Sequence, residues 1–169
     1  MTGPTLSLPL AVLEGIHLNE LINQLTSVLA DSEASSDPAI ERLVPDAYPE
    51  DTDASAEFSN ATRADLLERR RADAVSVQHA LKPLSTVAPE DLAGDEAIQE
   101  REVLIPAQEL DAWLRTLTAL RLVIAARLNI TAADDEHDLD DPRFHVYDWL
   151  GYRLDGLVAL ADAHDEASG

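Results

Sequence analysis

The sequence predicts an all-α protein, a single-domain helical bundle of about five helices around a buried central helix at about residues 107–129. Three observations carry this prediction. Leu110 to Ile130 is the longest strongly periodic apolar run in the chain. The remaining long stretches repeat apolar residues at helical spacing, with few β-branched runs. The chain has 169 residues, 46% of them hydrophobic, and a chain of this length can bury about 70% of its unfolded surface in one core.

The central segment justifies its place first. Leu110, Trp113, Leu114, Leu117, Leu120, Ile124 and Leu128 fall on one arc of a helical wheel. Leu122, Val123, Ala125 and Ala126 widen that arc, and a helix apolar on nearly all sides is surrounded by other helices. Pro106 suits a first turn, where its missing N–H has no partner to lose, and Asn129 marks the end. Arg121 projects between Leu114 and Leu117, on the apolar side. Two readings of it stand: a buried guanidinium paired with a carboxylate, or an arginine whose stem packs while its head reaches the rim. For the pair, Glu14 is the first candidate partner and Glu57 the second.

The other elements follow in chain order. Residues 1–8 read as a flexible arm, with the first helix from about Pro9 to Ala30. Leu10, Leu18, Leu21, Leu25, Val28 and Leu29 share its face, and Glu14 lies within that face. A polar loop at 31–37 ends in Asp37-Pro38, an N-cap and first helical residue, opening a short helix to Leu43. A turn-rich link at 46–51 leads to a mostly helical stretch, Thr52 to Leu81. There Thr62-Arg-Ala-Asp65 resembles a capping box, which allows a joint near Asn60. Leu67, Ala74, Val77 and Leu81 form its stripe. Residues 82–101 form an acidic loop, and Glu102 to Ile105 an extended lead rather than a sheet. Residues 131–141 form a second acidic loop. Asp141-Pro142 starts a last helix reaching about Ala163, and 163–169 read as a flexible end. Gly151 within that helix suggests close approach of a neighbour.

Charge narrows the function classes. Thirty-three acidic against twelve basic residues give a net charge of −21. Such a surface repels nucleic acid and anionic membrane and favours a basic protein partner or a cation. The absence of cysteine removes disulfides, thiolate metal sites and thiol sensing. No apolar run approaches the ~20 residues that span a bilayer, and the N-terminus lacks a signal-peptide pattern, so the expected location is the cytoplasm.

Motifs of catalysis are missing: no Gly-x-Ser-x-Gly, no phosphate-binding glycine loop and no His-Glu-x-x-His. The expectation is a non-enzymatic protein without cofactor. Residues 134–141 are the most metal-like segment, but they lack the glycine turn of a calcium loop, and His137 and His145 would need zinc partners from elsewhere. They read as a solvated loop with a helix cap. Arg69, Arg70 and Arg71 form the only basic run. It reads first as a charged helix face beside Asp65 and Asp73, and second as an interaction patch for an acidic partner.

Four segments occur in the order Arg42-Leu-Val-Pro-Asp-Ala-Tyr48, Ala56-Glu-Phe58, Trp113-Leu-Arg-Thr-Leu-Thr-Ala-Leu-Arg-Leu-Val-Ile124 and Tyr147-Asp-Trp-Leu-Gly-Tyr152. In this the chain resembles an actinobacterial family catalogued as a domain of unknown function. That family includes the mycobacterial oxidative-stress transcriptional regulator AosR, and the similarity runs from about Pro9 to Leu160. The resemblance implies an intracellular helical regulator of transcription that contacts the transcription machinery rather than reading DNA. A neighbouring gene for a Clp-protease adaptor, common in the family, implies the alternative of an accessory to Clp proteolysis. Oxidant sensing through cysteines is not carried over to a chain that has none. The broad apolar helix also leaves room for a homodimer.

Overall fold

Leu6, Leu8 and Leu10 alternate with Ser7 and Pro9, and the alternation is realised as a β-strand, β1, Thr5–Ala11. It pairs antiparallel with β2, Glu100–Pro106, with Leu8 opposite Val103 and Leu6 opposite Ile105. The computed structural model describes residues 3–31, 37–44, 52–134 and 136–169. Two expectations are corrected here. Residues 5–8 are not a loose arm, and Glu102 to Ile105 is not merely an extended lead. The reason is mutual burial: Leu8, Leu10, Val103 and Ile105 all turn into the core, while Pro9 and Leu104 face outward. Proline is tolerated in this strand because a two-stranded ribbon leaves an outer edge on which a missing N–H is not needed.

The strand runs directly into α1, Val12–Ala30. The Glu14 carboxylate accepts from the Ala11 N–H at 2.9 Å, satisfying a donor at the helix start. The Val12 N–H donates to the Gln99 carbonyl at 3.0 Å and ties that start to the approach of β2. Ile16, Leu18, Ile22, Leu25 and Leu29 are buried on one side of α1. Gly15 is needed on that side: a Cβ there would lie 2.7 Å from a terminal carbon of Leu84.

Asp37 caps α2, Pro38–Leu43, by accepting from the Ala39 N–H at 2.9 Å, as its Asp-Pro sequence predicts. Then α3 runs unbroken from Thr52 to Leu81, so there is no joint near Asn60. Its stripe, Leu67, Ala74, Val77 and Leu81, is buried as predicted. The polar loop at 31–37 and the link at 46–51 fall largely outside the described residues. The acidic stretch 82–101 holds a 3-10 turn at Pro89–Asp91, the single-turn α4 at Gly94–Ala97, and the beginning of β2.

The central helix α5 spans Leu110–Arg127 after a 3-10 turn at Ala107–Glu109. It packs against α2, α3 and α6, Pro142–Phe144 forming a 3-10 turn before α6, His145–Ser168. It ends in a Schellman motif. Asn129 takes a left-handed φ of 56°, and the Ile130 N–H reaches back to the Ala125 carbonyl at 2.9 Å. Trp113 and Leu117 are fully enclosed. One apolar cluster joins β1, β2, α1, α2, α3, α5 and α6 around them. The architecture is therefore mostly helical, as predicted, with a small two-stranded sheet added. α6 also continues to Ser168, past Ala163 where sequence places its end. Among the described residues, no helix is long and apolar enough to cross a membrane.

Candidate functional site

A flank of α1 beside its core face carries a second, weaker apolar stripe, Leu13, His17 and Leu21, with Leu21 also packed against the edge of the core. These residues are only half covered, apart from His17, which is exposed. Opposite them stand Ala97 and Ile98 at the end of α4, and His145, Val146 and Trp149 in the first turns of α6. Together they enclose an open groove of about 350 Å³ whose exposed surface is almost entirely carbon. Ile98 is 75% exposed and Val146 43% exposed, so two of its large apolar side chains meet solvent.

A polar node forms one end of the groove. Trp149 Nε1 donates to Glu14 Oε1 at 2.7 Å, and the Arg153 guanidinium donates to Glu14 Oε2 at 2.5 Å. Trp149 and Arg153 are one helical turn apart on α6, so they reach the same carboxylate. Arg153 also donates to the Pro9 carbonyl at 3.3 Å, and the node thus ties α6 to α1 and β1. Burial on its own raises the Glu14 pKa. The donors from Arg153, Trp149 and Ala11 outweigh that cost and hold the carboxyl below its ordinary value.

This geometry corrects the expected pairing of Arg121. Neither Glu14 nor Glu57 meets it: Glu14 is taken by Arg153, and Glu57 is exposed. The Arg121 guanidinium instead lies over the Tyr147 ring, 4.0 Å from its centroid, and against Gly151. The physical reason is the position of α6. Tyr147 and Gly151 lie about 200° around that helix from Trp149 and Arg153 at ~100° per residue, with buried Leu150 and Leu157 between the two flanks. One flank of α6 serves Arg121 and the other serves Glu14. Arg121 follows neither reading in full. Its stem packs, but its head stays on Tyr147 and Gly151 instead of reaching the rim, with Nε buried and without a hydrogen-bond partner among the described residues. Gly151 does admit a close neighbour.

The basic run divides in the same way. Arg69 and Arg71 are exposed, and Arg71 pairs with Glu68 at 3.3 Å. Arg70 turns inward and donates to the Leu43 carbonyl at 3.1 Å, satisfying the C-terminal end of α2. Burial lowers its pKa. An outward patch of three arginines is therefore corrected to two, since α2 needs the third. Asp73, expected beside Arg69, forms a two-pronged pair with Arg115 at 2.8 and 3.1 Å.

The acidic loop uses its carboxylates as local caps. Asp134 accepts from the Thr131 N–H at 2.8 Å, and Asp141 accepts from the Arg143 N–H at 3.0 Å. The side chain of Arg143 holds Asp141 down at a pKa of about 2. His137 stacks on Phe144 at 3.9 Å between ring centroids, and its two nitrogens meet the Asp134 carbonyl and the Asp148 carboxylate at 2.7 and 2.8 Å. Among the described residues, no three His, Asp or Glu side chains converge to hold a metal ion.

The groove itself escaped the sequence. Its signals were Ile98, a large apolar residue in a polar loop, and the half-apolar flanking stripe of α1. No curated protein and no solved structure matches the chain. Residues 1–161 match the family described as a domain of unknown function, DUF2017, and the chain belongs to that family.

Proposed function

We propose that the protein is a non-enzymatic regulator that acts by binding other proteins, with its partner in the transcription machinery. The observation that carries this reading is the open apolar groove in a surface of net charge −21. An exposed apolar trough with acidic surroundings suits a polypeptide rather than nucleic acid. The residues at the groove include no nucleophile–base pair: Glu14 is committed to three donors and serves as a structural anchor. Resemblance to a family that includes a mycobacterial stress-response regulator adds the transcriptional direction. An intracellular, cytoplasmic site of action goes with it.

Affinity purification of the tagged full chain from its host, read by mass spectrometry, tests the proposal. Enrichment of RNA polymerase or a sigma factor over a tag-only control is the expected result. Reproducible recovery of Clp components alone would transfer the reading to proteolysis, and self-association alone would transfer it to a homodimeric role.

A further inference from the structure

We infer that the groove between α1, α4 and α6 is the seat for a basic amphipathic helix of the partner, which lays two apolar residues, one turn apart, over Ile98 and Val146. This inference rests on the protein-binding reading above and names the chemistry of what is bound. Three features of the groove decide it.

The first is shape. The hollow of about 350 Å³ is partly open, with Ile98 three-quarters exposed at its lip. A small-molecule site encloses most of its ligand, whereas here Ile98 and Val146 leave apolar surface facing solvent. A second open hollow, of about 500 Å³, continues from Leu21 to Val28 of α1 and Val123 and Ile124 of α5. Leu21 lines both hollows, so the apolar track follows α1 for several turns. That suits the spaced apolar anchors of a docked helix.

The second is charge. The three helices that wall the first hollow carry nine aspartates and glutamates against one arginine. Arg153 is matched by Glu14 and Asp148 by His137, which leaves seven acidic side chains on these helices and no lysine or arginine to offset them. α1 contains no lysine or arginine at all. An occupant must therefore bring apolar residues on one face and lysine or arginine on its flanks. A second copy of this chain does not qualify, because two molecules of charge −21 repel.

The third is rigidity. Trp149, which lines the groove, is fixed by its bond to Glu14, and Glu14 in turn fixes the start of α1. The wall that receives the partner is thus built before binding, which lowers the entropic cost of association.

The test uses the full chain and a synthetic helical peptide of about eighteen residues, ~27 Å long, with leucine at i, i+3, i+4 and i+7 spacing and lysine elsewhere. Controls are the same composition with the leucines spread around the helix, and the same apolar face with glutamate for lysine. Saturable binding of the basic amphipathic peptide is expected by calorimetry, at least about tenfold weaker for the scrambled peptide and undetectable for the acidic one. I98D with V146D should weaken it at least about tenfold. Both sites are exposed, and an unchanged circular dichroism melt shows that the fold is kept. Absence of binding, equal binding of the scrambled peptide, or indifference to the double variant would overturn the inference. The same variant separates this inference from the function proposed above. If I98D with V146D still recovers transcription proteins from the host, the groove is the wrong seat and the function stands. If the peptide binds as expected but no transcription protein is recovered by the native chain, the seat stands and the function falls.

Discussion

Glu14 and Trp149, 135 residues apart in the chain, share a hydrogen bond of 2.7 Å that fixes the first helix against the last. The same carboxylate receives Arg153 and the Ala11 N–H, so three donors depend on one side chain. Replacing it leaves Trp149 and Arg153 with partly buried, unmatched N–H groups. Glu14→Ala is expected to cost about 2–3 kcal/mol, and Glu14→Gln, which keeps an acceptor but no charge, about 1–2 kcal/mol. The Glu14 pKa is lowered in the fold, so its contribution is complete above the unfolded value of 4.5 and fades as pH falls through the folded value. Urea midpoints at neutral pH and along a descending acid series below 4.5 should show the Glu14→Gln deficit shrinking in acid.

Arg121 belongs to a different class of contact. With no carboxylate among the described residues to lose, Arg121→Ala should cost about 1 kcal/mol, the range of a cation–π contact with its packed stem. A buried ion pair would cost about 3–5 kcal/mol. Denaturation of the variant decides between them.

Gly151 is coupled to that arginine. A Cβ at this position would lie 3.3–3.4 Å from the guanidinium, tight against a group already resting on Tyr147. Gly151→Ala gains about 1 kcal/mol of helix propensity and loses a similar amount by pressing on Arg121, so the single variant should be near neutral. In an Arg121→Ala background the crowding is gone and the full gain should appear. A double-mutant cycle measures the difference.

Asp37 serves two partners with one carboxylate, the Ala39 N–H as a helix cap and Arg127 as an ion pair at 2.7 Å. The Arg127 side chain is 51% exposed, so the pair is worth little in water. Asp37→Asn, which keeps the cap, should therefore cost under about 0.5 kcal/mol, whereas Asp37→Ala should cost about 1–2 kcal/mol. Equal losses in thermal unfolding would show that the ion pair, not the cap, carries the effect.

His137 supplies a pH dependence of the opposite sign to that of Glu14. Its bond to Asp148, with help from the Asp134 carbonyl, raises its pKa above the ordinary 6.5. The charged contact is therefore fully present below the unfolded pKa and is lost as pH rises through the folded one. Asp148→Asn should bring the titration of the His137 ring, followed by NMR, down toward the ordinary value. Local amide protection around His137 in the native chain should decline over the same rise in pH.

The long helices were legible because their periodic apolar residues repeat over many turns. α5 and the Leu67, Ala74, Val77 and Leu81 stripe of α3 lie where spacing puts them. Asp37 and Asp141 were legible as caps because Asp-Pro is a local signal. β1 was not, because three leucines interrupted by Pro9 serve equally well as a helix start. Only pairing with a strand nearly a hundred positions later decides the matter. Arg121 was visible as an arginine on an apolar face, but a helical wheel shows a direction, not the neighbour that lies there. Tyr147 is supplied by another helix, and Glu14 lies beyond that helix on its other flank. Arg70 was hidden for a similar reason, since its partner is a backbone carbonyl. The groove belongs to three separate segments and existed in none of them alone.

Tryptophan fluorescence tests the docking surface most directly, because Trp113 is sealed in the core and Trp149 lines the groove. Titration of the basic amphipathic peptide into the native chain should shift the emission to shorter wavelength and saturate, and the shift should vanish in I98D with V146D. An unshifted spectrum despite measured binding, or an equal shift in that double variant, would contradict the account.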